Sequence, residues 1–171
     1  YELPQIASVL DSGGNSVFRV KASKRGGFKT FALQNVELKT GKFYYEMEVG
    51  NNGGHSIDKR GWYPQLGWTD VELFAMQDEN SGVGDDAGCS WSIDGERAKF
   101  WEGGRRTGFL SKFKWKTGTV VGCFLTLDAD NRSNNCITFL CDGRVISPPP
   151  TGKFRNFLVG SKGLQPALSC T

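Results

Sequence analysis

Hydrophobic residues recur at every second position in several short segments of the chain, and the clearest of these runs from Phe43 to Val49. Phe43, Tyr45, Met47 and Val49 alternate there with a tyrosine and two glutamates. Such alternation predicts a β-strand that places one face on a core and the other toward water or a second layer. Val120–Leu127 is apolar on both faces instead, which predicts a central strand covered on two sides.

Most of the remaining chain consists of strand-like segments separated by turn residues. The other predicted strands are 6–10, 16–22, 28–33, 36–38, 66–69, 89–93, 97–101, 136–140, 144–146 and 164–170. Asp94-Gly95 and Asp142-Gly143 predict tight hairpin turns, because aspartate tolerates positive φ and glycine adopts it freely. One short helix is predicted within 70–81, and 103–108 are predicted to form a loop. This pattern predicts an all-β sandwich of antiparallel sheets.

The length and charge of the chain narrow the range of functions. Its 171 residues fit a single domain, 1–171, without an internal repeat. A net charge of +3, with lysine and arginine spread along the chain, argues against nucleic acid as a partner. No apolar run approaches the roughly 20 residues of a membrane helix, so we expect no membrane partner. Because the first residue is Tyr1 rather than Met, we expect the domain to be excised from a longer protein.

The five cysteines are odd in number, irregularly spaced and without a CxxC pair. Two of them lie in strongly apolar runs, so we interpret the cysteines as small buried residues of a reducing compartment. With His55 as the only histidine, a zinc site of Cys and His ligands has few donors. We therefore expect an intracellular protein, cytoplasmic or nuclear, with no metal and no cofactor.

Residues 82–101 combine glycines, carboxylates and aromatic rings, and they are the richest source of candidate chemistry. The segment 82–88 matches neither phosphate-binding glycine pattern, and a predicted strand rather than a helix N-terminus follows it. Asp85, Asp86 and Asp94 are candidates for general acid and base or for cation ligands. Carboxylates beside glycines in turns more often cap backbone amides, and this is the interpretation that we favour.

The remaining candidates for chemistry are isolated. The segment 128–133 starts like a calcium loop but has Arg132 at a ligand position. His55 lies in a glycine-rich loop with no nucleophile motif nearby. We predict no catalytic residues and no metal ligands, and a hydrolase that uses Asp85 or Asp86 is one alternative to a binding protein.

Several short motifs of the chain occur in the same order in the SPRY domain family, and the chain resembles that family from about residue 17 to residue 169. They are Gly41-Lys-Phe-Tyr-Tyr-Glu-Met-Glu-Val49, Gln65-Leu-Gly-Trp68, the stretch 82–101, Thr117-Gly-Thr-Val-Val-Gly-Cys-Phe-Leu-Thr-Leu-Asp128, Ile137-Thr-Phe-Leu-Cys-Asp-Gly143 and Leu164-Gln-Pro-Ala-Leu-Ser169. Each motif alone is weak, and their shared order makes the likeness specific. The resemblance implies a bent sandwich of two antiparallel sheets, jelly-roll-like and of concanavalin type, with little or no helix and no catalytic activity.

The same resemblance implies a protein-interaction module whose loops, at one end of a rigid sandwich, bind a short peptide or a partner surface. Because SPRY domains occur in larger chains such as ubiquitin ligases, we expect an adaptor or substrate-recognition part that is itself monomeric. The chain departs from the family at several positions. These are Gln65 in place of a frequent arginine, Thr119 and Thr126 in place of acidic residues, and the segments 128–135 and 150–162, which are longer than usual.

We expect the binding surface to consist of three loops: 21–27, 60–65 and the segment around Asn80. Its basic residues would supply charge, and its two aromatic residues would supply the rigid amphipathic area that is typical of binding hot spots. The predicted partner-binding residues are Lys21, Lys24, Arg25, Arg60, Trp62, Tyr63, Gln65 and Asn80. On this hypothesis, residues 82–101 are scaffold, apart from their entrance near Asn80.

Two alternatives to this surface stay open. Trp62 and Tyr63 could cap the core instead of contacting a partner. The sandwich could also be a lectin-like carbohydrate-binding domain, since jelly-roll lectins use exposed tryptophan and aspartate-rich loops. Calcium-dependent binding to glycans would favour the lectin.

Overall fold

A computed structural model describes the chain at residues 6–10, 16–20, 29–33, 35–50, 64–72, 82–84, 89–95, 97–108, 115–146, 154 and 157–170. The regular structure of these residues is β-strand, apart from one short 3₁₀ helix, Arg132–Asn134. The strands are β1 (Ile6–Leu10), β2 (Ser16–Val20), β3 (Lys29–Ala32), β4 (Gly41–Glu48), β5 (Gln65–Asp70), β6 (Ser90–Asp94), β7 (Lys99–Glu102), β8 (Arg105–Gly108), β9 (Val120–Leu127), β10 (Cys136–Cys141), β11 (Arg144–Ile146) and β12 (Leu164–Cys170).

The strands form two main antiparallel sheets and one separate hairpin. A four-stranded sheet has the order β11-β10-β9-β4, and a six-stranded sheet has the order β3-β12-β5-β6-β7-β8. β1 and β2 pair with each other. The predicted all-β sandwich is therefore confirmed. β9 is central in its sheet, as its apolar sequence predicted, but Phe124 on its outer face is only half-buried.

The core lies between the two sheets, where the alternating apolar positions of the strands face each other. The register aligns Tyr45 of β4 with Cys123 of β9, and Cys123 with Phe139 of β10. Trp68 of β5 packs edge-on against Tyr45, with the ring centroids 4.9 Å apart. The hydroxyl of Tyr45 donates to the carbonyl oxygen of Gly67 at 2.5 Å and so joins the two sheets. Full burial of a large apolar side chain in such a core stabilises a fold by about 1.5–3 kcal/mol.

The segment between β11 and β12 supplies two further core residues. Phe154 contacts Phe100 and Phe139 at ring centroid distances of 5.7 and 6.0 Å. Phe157 packs against Trp91 at 4.6 Å. Both phenylalanines are buried, so at these two positions the long 150–162 segment serves core packing.

Two predicted elements are wrong in detail. The loop predicted at 103–108 contains β8, which pairs with β7. Gly103 and Gly104 have positive φ angles of 54° and 72°, and they form the two-residue turn between these strands. The strand predicted at 36–38 is reduced to one isolated bridge from Leu38 to β12.

The two predicted hairpin turns have different outcomes. Asp142-Gly143 is confirmed as a two-residue turn, with φ angles of 47° and 74°. Asp94-Gly95 is not such a turn, because Asp94 pairs with Lys99 and four residues separate the two strands. An alanine-sized side chain at Gly95 would overlap the ring of Trp115, which lies directly on this glycine. Glycine is required here for close packing and not for positive φ.

One end of the six-stranded sheet is marked by a row of paired residues that we call the Gln65 row. Its members, from β3 to β7, are Thr30, Ser169, Gln65, Asp94 and Lys99. The 128–135 loop lies at the opposite end of the sandwich, because Asn135 donates from Nδ2 to the carbonyl oxygen of Phe157 at 2.9 Å, beside Trp91.

Candidate functional site

One described residue beside or within each of the three predicted loops lies at the Gln65 row: Lys29, Gln65 and Val83. β3 begins at Lys29, which pairs with Cys170, and β5 begins at Gln65, which pairs with Ser169. The backbone N–H of Val83 donates to Oγ of Ser169 at 2.8 Å. Segments that are distant in sequence therefore reach one end of one sheet.

Only one of the predicted partner-binding residues falls within the described part of the chain. Lys21, Lys24, Arg25, Arg60, Trp62, Tyr63 and Asn80 lie outside the described residues, as do Asp85, Asp86, His55 and most of the segment with the predicted helix. Gln65 is described, and it is 1% exposed. Its part in the predicted surface is consequently to hold neighbouring groups in place.

The side-chain amide of Gln65 connects two segments that come from elsewhere in the chain. In the orientation that satisfies both neighbours, Nε2 donates to the carbonyl oxygen of Val83 at 3.0 Å. Oε1 accepts a hydrogen bond from Nη2 of Arg97 at 3.3 Å. Buried polar groups of this kind are costly to leave unpaired, so this amide fixes both Val83 and Arg97 above the sheet.

Residues 82–84 cross the polar face of the six-stranded sheet and are tied to it by serine hydroxyls. Oγ of Ser92 donates to the carbonyl oxygen of Val83 at 2.6 Å. The N–H of Gly84 donates to Oγ of Ser90 at 2.5 Å. Val83 is fully buried. These bonds agree with the expected scaffold role of the segment, since backbone groups of Val83 and Gly84 bond to serine hydroxyls of the sheet.

Replacing Ser169 by alanine should weaken the attachment of this segment. The buried N–H of Val83 would lose its acceptor, and an unsatisfied buried donor costs about 1–3 kcal/mol. We expect Ser169→Ala to lower the free energy of unfolding in urea by that amount and to speed hydrogen exchange of the Val83 amide. The matched change at the exposed Ser161 should alter stability by less than about 0.5 kcal/mol. Equal stabilities of the two variants would contradict the role of Ser169.

A buried carboxylate and a half-buried arginine form the most polar contact of the site. Asp94 is fully buried, and its Oδ1 accepts the backbone N–H of Arg97 at 3.0 Å. Nε of Arg97 donates to Oδ2 of the same carboxylate. The Arg97 guanidinium also lies over the ring of Trp101, 4.6 Å from its centroid. Asp94 therefore caps a backbone amide, as we favoured, and it also orients a cation that the sequence analysis did not single out.

Three of the described thiols, those of Cys123, Cys141 and Cys170, are poorly suited to nucleophilic catalysis. Burial raises the pKa of the Cys141 thiol to about 12 and that of Cys170 to about 11. Burial also raises the pKa of Cys123 well above its usual range. Thiolates are the nucleophilic form of cysteine, so these three side chains stay protonated and unreactive at neutral pH.

The aspartate-rich loop has its first carboxylate engaged by its own chain. Oδ1 of Asp128 accepts the backbone N–H groups of Asp130 and Asn131, both at 3.0 Å. Oδ2 accepts from Nδ2 of Asn134 at 2.7 Å. These bonds lower the pKa of Asp128. The described residues contain no group of three or more His, Cys, Asp or Glu side chains placed to hold a metal ion.

No protein-family model matches the chain, and no curated protein matches it. Among the helices of the described residues, none is long and apolar enough to cross a membrane.

Proposed function

We propose that the chain is a SPRY-like, non-catalytic interaction module that binds a short peptide or a partner surface at the end marked by the Gln65 row. The observation that carries this proposal is the meeting of Lys29, Gln65 and Val83, which adjoin the three predicted loops, at one end of a single sheet. A rigid framework that carries loops at one end is a common way to present a binding surface. The role that this arrangement suits is that of an adaptor or substrate-recognition part of a larger protein such as a ubiquitin ligase.

The packing beneath the surface supports a preorganised site. Val83 and Gln65 are held by hydrogen bonds to Ser92, Ser169 and Arg97. A surface that is already ordered before binding loses less entropy when a partner associates. The loops would therefore start from fixed positions on the sheet.

The state of the cysteines supports an intracellular protein, cytoplasmic or nuclear. All five are thiols rather than disulfides. Domains of secreted proteins commonly carry disulfides, whereas reducing compartments keep thiols reduced.

Selection of binders from a library of short random peptides tests the proposal. We expect the purified domain to enrich peptides with a shared consensus. The double variant Arg25→Ala with Tyr63→Ala should weaken their affinity by about tenfold or more, because buried interface aromatics and arginines dominate binding energy. The melting temperature should stay that of the wild type.

The matched control for this experiment is Arg132→Ala, an exposed arginine at the opposite end of the sandwich, which should leave affinity unchanged. Enrichment of no consensus, or equal losses in control and double variant, would count against the proposal. Calcium-dependent binding to a glycan array would favour the lectin in its place.

A further inference from the structure

Three basic residues and a tryptophan form a cluster that includes the last member of the Gln65 row and lies outside the three predicted loops. It consists of Arg97, Lys99, Trp101 and Arg106, and we call it the Arg97 platform. Lys99 and Trp101 share one face of β7 because they are two residues apart. Arg106 of β8 is the direct cross-strand partner of Trp101, and the Arg97 guanidinium lies over the same ring. Three cations are thus gathered around one indole.

The position of the Arg97 guanidinium is fixed from three sides. Asp94 accepts from its Nε, Gln65 accepts from its Nη2, and the ring of Trp101 lies beneath it. About a third of the side chain is nevertheless exposed, since its relative accessibility is 32%. A planar cation held in one orientation at a surface is suited to a planar anion, because little rotamer entropy remains to be lost on binding.

Among the described residues of this face, basic side chains outnumber acidic ones. By strand alternation, Asp94 is the one acidic residue that β6, β7 and β8 place on the face of the platform, and it is fully buried. Arg106 is exposed and Lys99 is half-buried. Among the described residues of this face, three cations accompany one buried carboxylate, and such an excess favours a positive local potential.

We infer that the Arg97 platform binds the carboxylates of an acidic peptide segment and thereby sets the specificity of the proposed binding surface. The inference rests on the proposed function, because it assigns a partner chemistry to the same end of the sandwich. Guanidinium groups form paired hydrogen bonds with carboxylates. The Trp101 ring adds an apolar surface for the methylene groups of glutamate. A net charge of only +3 makes a protein partner a better fit than a polyanion such as nucleic acid.

The test is to titrate the domain with each of two peptides that differ only in charge and to monitor each titration by two-dimensional NMR. One peptide is a capped sequence of alternating glutamate and glycine, and its twin has glutamine in place of each glutamate. We expect the acidic peptide to shift the Trp101 indole N–H and the Arg97 Nε–H signals and to bind about tenfold more tightly than the twin, or better. Added salt should lower the affinity of the domain for the acidic peptide, because salt screens interactions between exposed charges.

Variants separate a binding role of the platform from a structural one. Lys99→Gln and Arg106→Gln change side chains that are outside the Asp94–Arg97 ion pair. Each should lower the affinity for the acidic peptide about two- to fivefold. The double variant Asp94→Asn with Arg97→Gln removes both charges of the pair together. It should lower the affinity for the acidic peptide by about tenfold or more. Arg132→Gln, at the opposite end of the sandwich, is the control and should bind like the wild type.

The inference would be overturned by equal affinity for both peptides, by equal losses in the platform variants and the control, or by tighter binding of a single-stranded oligonucleotide than of the acidic peptide. Selected peptides that bind through the loops without any carboxylate preference would overturn the inference and leave the proposed function standing. Binding of the acidic peptide at the platform, with no effect of the Arg25 and Tyr63 variants on any peptide, would support the inference and count against the proposed loop surface.

Discussion

Gly67→Ala is expected to lower the free energy of unfolding by about 3 kcal/mol or more. A Cβ atom at Gly67 would lie 2.8 Å from Cα of Ser92 and would overlap the carbonyl oxygen of Trp91. Both obstacles are backbone atoms of β6, which pairs with β5 along its whole length. Neither can move aside as a side chain would, so the substitution must separate two central strands.

The matched control is Gly122→Ala, which is also a change of a strand glycine. The nearest atom to a Cβ at Gly122 is the hydroxyl oxygen of Tyr44, at 2.5 Å. Tyr44 is 49% exposed, and the end of its side chain can move into solvent. Alanine also restricts the unfolded chain, which offsets part of the strain.

We expect the Gly122 variant to stay within about 1 kcal/mol of the wild type. Urea unfolding of both variants measures the difference. A Gly67 variant as stable as the Gly122 variant would contradict the close approach of β5 and β6.

Apolar runs and turn residues in the sequence were sufficient to predict several strands. Val120–Leu127 and Leu164–Cys170 begin and end where predicted. The Asp142-Gly143 pair was also sufficient to predict its hairpin turn, because both residues adopt positive φ. Neighbouring residues determine these elements, because burial determines the strands and positive φ determines the turn. The prediction used the same neighbouring residues.

Other features depend on contacts that are distant in sequence. β8 contains Arg105 and Arg106, which are exposed at the edge of the sheet, so its composition resembles that of a loop. The Asp94-Gly95 turn is wider than predicted, and Trp115, which is distant in sequence, packs on Gly95. Neither the edge position nor the tryptophan contact leaves a signal in the neighbouring residues.

The candidate site could be predicted only in outline. The three-loop surface stays a prediction, because most of its residues lie outside the described part of the chain, and Lys29, Gln65 and Val83 are the described residues that bring its loops to one end of the sheet. Arg97 was missed because its contact with Gln65 depends on the register of β5 against β6. The one usable signal was the aspartate three residues before this arginine. Residues 82–101 were expected to be scaffold, and the proposed platform gives part of this stretch a second role.

The ion pair between Asp94 and Arg97 should make Arg97→Gln destabilising. Asp94 is fully buried, and Nε of Arg97 donates to its Oδ2. Removing the guanidinium from a fully buried carboxylate costs about 3 kcal/mol when both partners are buried, and somewhat less here because Arg97 is partly exposed. The backbone N–H bond from residue 97 to Oδ1 of Asp94 would remain, but a neutral donor stabilises a buried carboxylate less than a guanidinium does.

The double variant Asp94→Asn with Arg97→Gln should recover most of the lost stability. A neutral asparagine needs no cation, and its amide oxygen can still accept the backbone N–H of residue 97. We expect urea unfolding to place the double variant within about 1 kcal/mol of the wild type, since replacing a buried ion pair by neutral groups is often nearly neutral. If the double variant is as unstable as Arg97→Gln alone, the loss comes from the packing of Arg97 on Trp101 and not from the uncompensated charge of Asp94.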